Sequence, residues 1–168
     1  RIMGWDMGQT RETGLTRVAL FLPSLCGGGA ERVMVNIARG LHEQGLAVDM
    51  VLATAEGPYL SQLAEGVRVV DLHAGRIMAS LPALAGYLRR ERPVALLSAL
   101  NHANCIAVLA QRLAGVPMRV VISLHTTLSQ ALARSRRERL VLVLMRRLLP
   151  TAPGGIVAVS QGVAEDFT

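Results

Sequence analysis

The sequence predicts an α/β fold, a doubly wound, mostly parallel, Rossmann-like sheet. Short, continuous apolar segments alternate with segments of helical periodicity along the chain. Strands of this composition are typical of parallel sheets whose two faces are both covered by helices. The first apolar segment also leads directly into three consecutive glycines and a helix, as strands do in doubly wound folds that bind ligands at a sheet edge.

The chain length and composition indicate one globular domain. Its 168 residues are 51% hydrophobic, and a chain of this size buries about 70% of its unfolded surface. No apolar run reaches the roughly 18 residues of a membrane-spanning helix. Residues 1–16 are polar and lack the apolar core of a signal peptide, so we predict a flexible leader, a domain over residues 17–168 and a cytoplasmic location.

The elements follow from apolar spacing in chain order. The first helix is predicted from a stripe at positions 30, 33, 34, 37, 38 and 41, and Gly45 ends it. Predicted strands are Val18–Leu22, Leu46–Ala53, Val67–Leu72, Val94–Leu100, Met118–Leu124 and Ile156–Val159. Predicted helices are Ala30–Gln44, a short one through Leu60 and Leu63, Ser80–Arg92, Ala103–Ala114 and about Leu128–Leu149, and Ser160 caps one more. Because that last helix has barely begun at Thr168, we expect the chain to be a fragment of a longer protein.

The absence of lysine excludes two chemistries. The net charge of +6 comes from 18 arginines, and the chain has no lysine. A Walker phosphate loop and a pyridoxal Schiff base both need a lysine. The charge suits a phosphorylated substrate, an anionic membrane or nucleic acid. Nucleic acid is disfavoured because aromatic residues, which stack on bases, are only 3% of the chain.

The glycine turn predicts an anion site. Gly27, Gly28 and Gly29 leave room for a ligand against the backbone, and the following helix directs its unpaired N–H groups and positive dipole end at it. A dinucleotide fingerprint fails because Arg32 stands where its third glycine is required, and because Asp49 lies mid-strand. We predict that neighbouring Cys26 is a small apolar filler, and that it and Cys105 are free thiols.

Polar residues follow several predicted strands at their carboxyl ends, where ligands bind in such sheets. Asn101 and Asn104 follow the fourth strand, His125 the fifth and Ser160 the last. The alternative for the asparagines is helix capping, and for His125 a structural hydrogen bond to a nearby loop. The histidines are scattered and no Asp-x-Asp motif is present. We therefore predict no metal ligands, and any sugar-nucleotide chemistry here would be metal-free.

The predicted helix Leu128–Leu149 has a basic face. Arg136, Arg139, Arg146 and Arg147 fall within about a third of its circumference. One interpretation is a core-packing helix whose charged face is solvated. The other is a surface that rests on anionic lipid, where four arginines at ~1 kcal/mol each would give weak, salt-sensitive attachment.

Six segments follow one another in a specific order and spacing. They are Gly27–Val33, Leu41–Gly45, Gly66–Leu72, Leu113–Pro117, the strand ending at His125, and Val157–Ser160. With these segments the chain resembles the N-terminal domain of the retaining glycosyltransferases of family 4, which have the GT-B architecture. The resemblance spans Arg17 to Thr168.

The resemblance implies half of a two-domain, retaining enzyme. This half would mainly bind the acceptor, a glycan or a lipid-linked molecule, and a C-terminal domain absent from this chain would bind the nucleotide diphosphate sugar. That sugar nucleotide is a co-substrate, and no cofactor is expected. The glycine loop would reach the donor phosphates, and His125 would lie by the donor sugar or acceptor as a catalytic residue. Glu31, Asn101 and Ser160 would shape the pocket. Many members act at the cytoplasmic face of the membrane, and this fragment alone is expected to be inactive.

A second class of function stays open from the residues alone. A stand-alone Rossmann-like module would bind a phosphorylated ligand through the same glycine loop without catalysis. Tight ligand binding by this chain alone would favour the module, because the transferase interpretation needs a second domain for donor affinity.

Overall fold

The computed structural model describes residues 16–124, 147–148 and 151–158. Its strands are β1 (Arg17–Leu22), β2 (Ala47–Leu52), β3 (Arg68–Asp71), β4 (Ala95–Ala99), β5 (Arg119–Leu124) and β6 (Gly155–Ala158). Its α-helices are α1 (Gly29–Glu43), α2 (Leu81–Glu91) and α3 (Asn101–Ala114), with 3₁₀ turns at Pro58–Gln62 and Ile77–Ser80. The strands form one sheet in the order β3-β2-β1-β4-β5-β6, and every neighbouring pair is parallel. The predicted Rossmann-like fold class is confirmed.

Both faces of the sheet are covered, which explains the continuous apolar strands. In β1, Leu20 and Leu22 face one core cluster with residues of α1, whereas Ala19 and Phe21 face the other with residues of α2 and α3. All four side chains are completely buried. A strand that buries alternate residues on opposite faces has no position left for a solvated polar side chain.

The strand order fixes where a ligand can bind. From β1 the chain first builds outward through β2 and β3, then returns to place β4 on the other side of β1. Because all strands are parallel, α1 after β1 and α3 after β4 begin at the same edge of the sheet, from opposite faces. Their first turns flank the crevice at the topological switch point, where doubly wound sheets bind ligands.

Most predicted boundaries of helices and strands differ by one residue from the observed ones, but the start of α3 was predicted two residues late. The helix begins at Asn101 rather than Ala103, because Leu100 adopts a φ of 75° and turns the chain from β4 directly into the helix. Of the predicted helix Leu128–Leu149, the structure describes only residues 147 and 148, which are helical. Within the described ranges, no helix is long and apolar enough to cross a bilayer.

A buried carboxylate links the strands near the opposite, amino edge. Asp49 of β2 is completely buried. It accepts hydrogen bonds from Arg17 Nη1 (2.7 Å), from Arg68 Nε and Nη2 (3.0 and 2.5 Å), and from the Tyr87 hydroxyl (2.7 Å). Arg68 also pairs with Glu91 at 3.0 Å. This network connects β1, β2, β3 and α2 away from the crevice.

The electrostatics of the network agree with its geometry. Burial, followed by the hydrogen bond to Asp49, raises the pKa of Tyr87 well above its usual range, so the phenol stays protonated as a donor. Burial alone would raise the pKa of Glu91, but hydrogen bonds from Arg68 and Arg90 outweigh it and the pKa is lowered. Asp49 therefore has a structural role, in which it joins three strands to α2.

Candidate functional site

The structure accounts for glycine at two of the three positions after β1. Gly27 has a φ of 120°, a conformation closed to other residues. At Gly28 a Cβ would lie 2.7 Å from Oε2 of Glu31, so its place is taken by that carboxylate. Gly29 has no positive φ, and a Cβ there would meet nothing within 4 Å. The fold itself therefore gives no reason for glycine at position 29.

The carboxylate of Glu31 occupies two of the backbone N–H groups of the glycine loop. Glu31 is 9% exposed, and its Oε2 accepts hydrogen bonds from the backbone N–H of Gly27 (3.1 Å) and of Gly28. An anion that uses these two N–H groups must displace the carboxylate. The N–H groups of Gly29, Ala30 and Glu31 come before the first intrahelical bond, from Arg32 N–H to the Gly28 carbonyl (3.1 Å). They are the donors that the helix presents to a ligand.

The segment after β2 supports the loop from one side. Leu25 N–H donates to the Glu56 carbonyl (2.9 Å), and Tyr59 N–H donates to the Leu25 carbonyl (3.2 Å). The Tyr59 hydroxyl lies 3.4 Å from the carbonyl oxygen of Gly27, which accepts its hydrogen bond. The exposed guanidinium of Arg32 stacks over the Tyr59 ring, 4.7 Å from its centroid. A cation is therefore held beside the glycine loop.

Sequence reasoning missed this arrangement of Arg32 and Tyr59. It recognised Arg32 as a helix residue but had no signal that an aromatic ring 27 positions later in the sequence would lie beneath it. In the part of the chain that the structure describes, Arg32 forms no ion pair. Its charge is available to a ligand.

The start of α3 forms the other wall of the crevice. Asn101 is the first residue of the helix, and the preceding Leu100 makes no side-chain cap. Asn104 is completely buried, and its Nδ2 donates to the Ser123 carbonyl at 3.1 Å, joining α3 to the end of β5. Helix capping, the alternative considered for both asparagines, is wrong, because neither Asn101 Oδ1 nor Asn104 Oδ1 accepts a hydrogen bond from the backbone of α3.

Of the two predictions about the cysteines, one is confirmed and one is wrong. Both are free thiols, as predicted. Cys26 does not fill an apolar space, because it is exposed beside the loop, where its Sγ accepts a hydrogen bond from Ser24 Oγ at 3.2 Å. Burial raises the pKa of Cys105 to about 11, so that thiol stays protonated at neutral pH and is a poor nucleophile.

Several predicted site residues lie outside the described residues and stay predictions. These are His125, Ser160, Arg136, Arg139 and Arg146. Arg147 is described and exposed, in accord with either interpretation of the basic helix face. Among residues 16–124, 147–148 and 151–158, no three His, Cys, Asp or Glu side chains are grouped so that they could hold a metal ion.

Comparison with protein families identifies the family of this chain. The model of Glycosyltransferase Family 4 matches residues 27–168. The match begins at the glycine loop and continues to the last residue, and so covers most of the chain. The chain belongs to glycosyltransferase family 4.

Solved structures show the same architecture. The apo form of the lipopolysaccharide outer core galactosyltransferase WaaB is 12% identical, with a TM-score of 0.63 over 89% of this chain and 41% of its own. Sucrose-phosphate synthase from Thermosynechococcus elongatus is 13% identical, with a TM-score of 0.63 over 84% and 41%. MurG from Acinetobacter baumannii is 16% identical, with a TM-score of 0.55 over 88% and 42%.

These likenesses establish the fold, Rossmann-like and shared with GT-B glycosyltransferases. The chain spans about two fifths of the length of these structural neighbours. No curated protein matches it by sequence.

Proposed function

We propose that this chain is the acceptor-side domain of a retaining, metal-independent glycosyltransferase that uses a nucleotide diphosphate sugar. The observation that carries the proposal is Gly29, a residue whose lack of a side chain the fold does not require. It lies in the first turn of α1 at the switch point, where backbone N–H groups and the helix dipole favour an anion. The diphosphate of the donor is the anion that family membership suggests.

The described residues have different roles at the glycine loop. Gly29 and Ala30 offer free N–H groups to a phosphate oxygen, and Arg32 adds a positive charge beside them. Glu31 keeps the loop in shape through Gly27 and Gly28. Stabilising the leaving diphosphate with fixed donors and a cation lowers the barrier to cleavage of the sugar–phosphate bond without a metal ion.

The remaining roles are extrapolated from the family. His125 would orient sugar or acceptor hydroxyls, and Asn101 and Ser160 would shape the pocket. The name of WaaB as a lipopolysaccharide outer core galactosyltransferase supports a glycan or lipid-linked acceptor. We propose a cytoplasmic enzyme that is peripheral on the inner membrane face through Arg136, Arg139, Arg146 and Arg147, and that has no activity without its donor domain.

The proposal predicts that Gly29→Ala weakens anion binding without weakening the fold. The methyl group would occupy the space of the ligand, whereas alanine in a helix is as stable as glycine or more so by about 0.5–1 kcal/mol. We expect the affinity of the full-length protein for inorganic pyrophosphate, measured by titration calorimetry, to fall about threefold to tenfold, the equivalent of a hydrogen bond.

Gly40→Ala is the matched control. Gly40 lies in the same helix, and a Cβ there also meets nothing within 4 Å, but it is three turns away from the loop. It should stabilise the protein similarly and leave pyrophosphate affinity unchanged. Equal affinities for the two variants would remove the support that Gly29 gives to the proposal.

A further inference from the structure

The Tyr59 ring holds the side chain of Arg32 beside the glycine loop. Arg32 is exposed and lies near the start of α1, and its guanidinium carbon is 4.7 Å from the centroid of the ring. An exposed arginine otherwise samples many rotamers, and a ligand that binds it must restrict them. The contact with the ring restricts these rotamers before a ligand arrives.

This contact leaves the charge of Arg32 available. None of the ion pairs found among the described residues includes Arg32. The adjacent carboxylate of Glu31 instead accepts hydrogen bonds from the backbone N–H groups of Gly27 and Gly28. A carboxylate partner would hold the guanidinium but would also cancel its charge, whereas an aromatic ring attracts it and carries no net charge. The ring can therefore orient the cation without neutralising it.

Tyr59 is itself held by the loop and by the core. Its backbone N–H donates to the Leu25 carbonyl at 3.2 Å, and its hydroxyl donates to the Gly27 carbonyl at 3.4 Å. The side chain is partly buried and packs against the core cluster that contains Leu25 and Met34 of α1. The position of the ring is thus set by contacts other than the one with Arg32.

The held cation lies on the side of α1 that carries the glycine without a structural reason. Gly29 and Arg32 are three residues apart in the helix, so they are neighbours on its surface. The N–H of Gly29 precedes the first intrahelical bond and is one of the donors that the helix presents to a ligand. An anion bound at Gly29 is therefore close to the charge of Arg32.

We propose that Tyr59 is a positioning residue, which strengthens diphosphate binding through Arg32 without touching the ligand. The inference rests on the proposed function, because it takes the anion at the glycine loop to be a diphosphate. A side chain that is ordered in advance loses less conformational freedom on binding. Removal of the ring should therefore weaken binding even though the charge of Arg32 remains.

The test compares Tyr59→Leu with Tyr59→Phe in the full-length protein, with inorganic pyrophosphate as the titration probe. We expect Tyr59→Leu to weaken pyrophosphate binding about twofold to fivefold, the equivalent of an exposed cation–π contact. Tyr59→Phe keeps the ring and loses only the hydroxyl group, so its affinity should equal that of the parent. Tyr59→Met, whose unbranched side chain fills irregular gaps, repeats the comparison should Tyr59→Leu fail to fold.

A double-mutant cycle with Arg32→Gln separates action through Arg32 from a general disturbance of the loop. Once the cation is absent, Tyr59→Leu should cause no further loss of pyrophosphate affinity. An equal loss in both backgrounds, an unchanged affinity of Tyr59→Leu in the parent, or a loss in Tyr59→Phe as large as in Tyr59→Leu overturns the positioning role. In each of these cases binding by the parent preserves the proposed function, whereas a parent that does not bind pyrophosphate rejects both.

Discussion

Asp49→Asn is expected to lower the free energy of unfolding by about 3 kcal/mol, the lower end of the range for breaking one side of a buried ion pair. The carboxylate oxygens of Asp49 accept hydrogen bonds from Arg17, Arg68 and Tyr87. An amide replaces one of these oxygens with an NH₂ group, which then faces a donor. The cost stays at the lower end because the Arg17 and Arg68 side chains are 30% and 45% exposed and can regain water.

Urea unfolding followed by circular dichroism measures this loss, with Asp71→Asn as the control. Asp71 lies in the neighbouring strand β3, and its carboxylate pairs at 3.2 Å with His73, which is 83% exposed. An exposed pair contributes little, so we expect a change within about 0.5 kcal/mol. A loss no larger for Asp49→Asn than for Asp71→Asn would show that the buried network does not hold the three strands and α2 together.

Gly57→Ala is expected to cost at least about 3 kcal/mol, because two separate penalties add. Gly57 has a φ of 111°, which is strained for alanine. A Cβ there would also lie 2.2 Å from the backbone carbon and oxygen of Leu25 and 2.6 Å from the backbone nitrogen of Cys26. Backbone atoms cannot rotate away, so the start of the glycine loop must move, and pyrophosphate affinity should fall as well.

Gly75→Ala separates the clash from the strain. Gly75 also has a positive φ, 62°, but a Cβ there meets nothing within 4 Å. It should cost only about 1–2 kcal/mol, the penalty of the left-handed conformation, and leave pyrophosphate affinity unchanged. If thermal unfolding shows equal losses for the two variants, the contact between Gly57 and Leu25 does not position the loop.

The sequence was sufficient to predict the fold because each element carries a local signal. The apolar run of β1 and the helical stripe of α1 need no distant residue to be recognised, and the glycines between them mark the turn. These signals predicted the parallel sheet, the loop and its place in the fold. They also led to the family, which the match over residues 27–168 confirms.

The contacts of Asp49 that sequence reasoning missed join distant positions. Asp49 reaches Tyr87 across 38 positions and Arg17 across 32. Nothing in the spacing indicates that these side chains meet. The exposure of Cys26 and the side-chain bond of Asn104 likewise depend on how loops and strands meet in space, which apolar periodicity does not encode.

The part of the site near Glu31 was predicted only in part from the sequence. The sequence placed Glu31 beside the loop, but its pairing with the N–H groups of Gly27 and Gly28 appears only in the structure. That pairing moves the expected phosphate contacts toward Gly29 and Ala30. Positions inside a motif can thus be predicted before their individual roles are known.

Turnover of a nucleotide diphosphate sugar tests the central claim most directly. The full-length protein would be incubated with common uridine and guanosine diphosphate sugars in the presence of EDTA, and release of the free nucleoside diphosphate would be measured. The account predicts release from at least one donor with the chelator present, strongly reduced in Gly29→Ala and unchanged in Gly40→Ala. Nucleotide binding with no release from any donor, with or without added metal ions, would contradict it and favour a binding module.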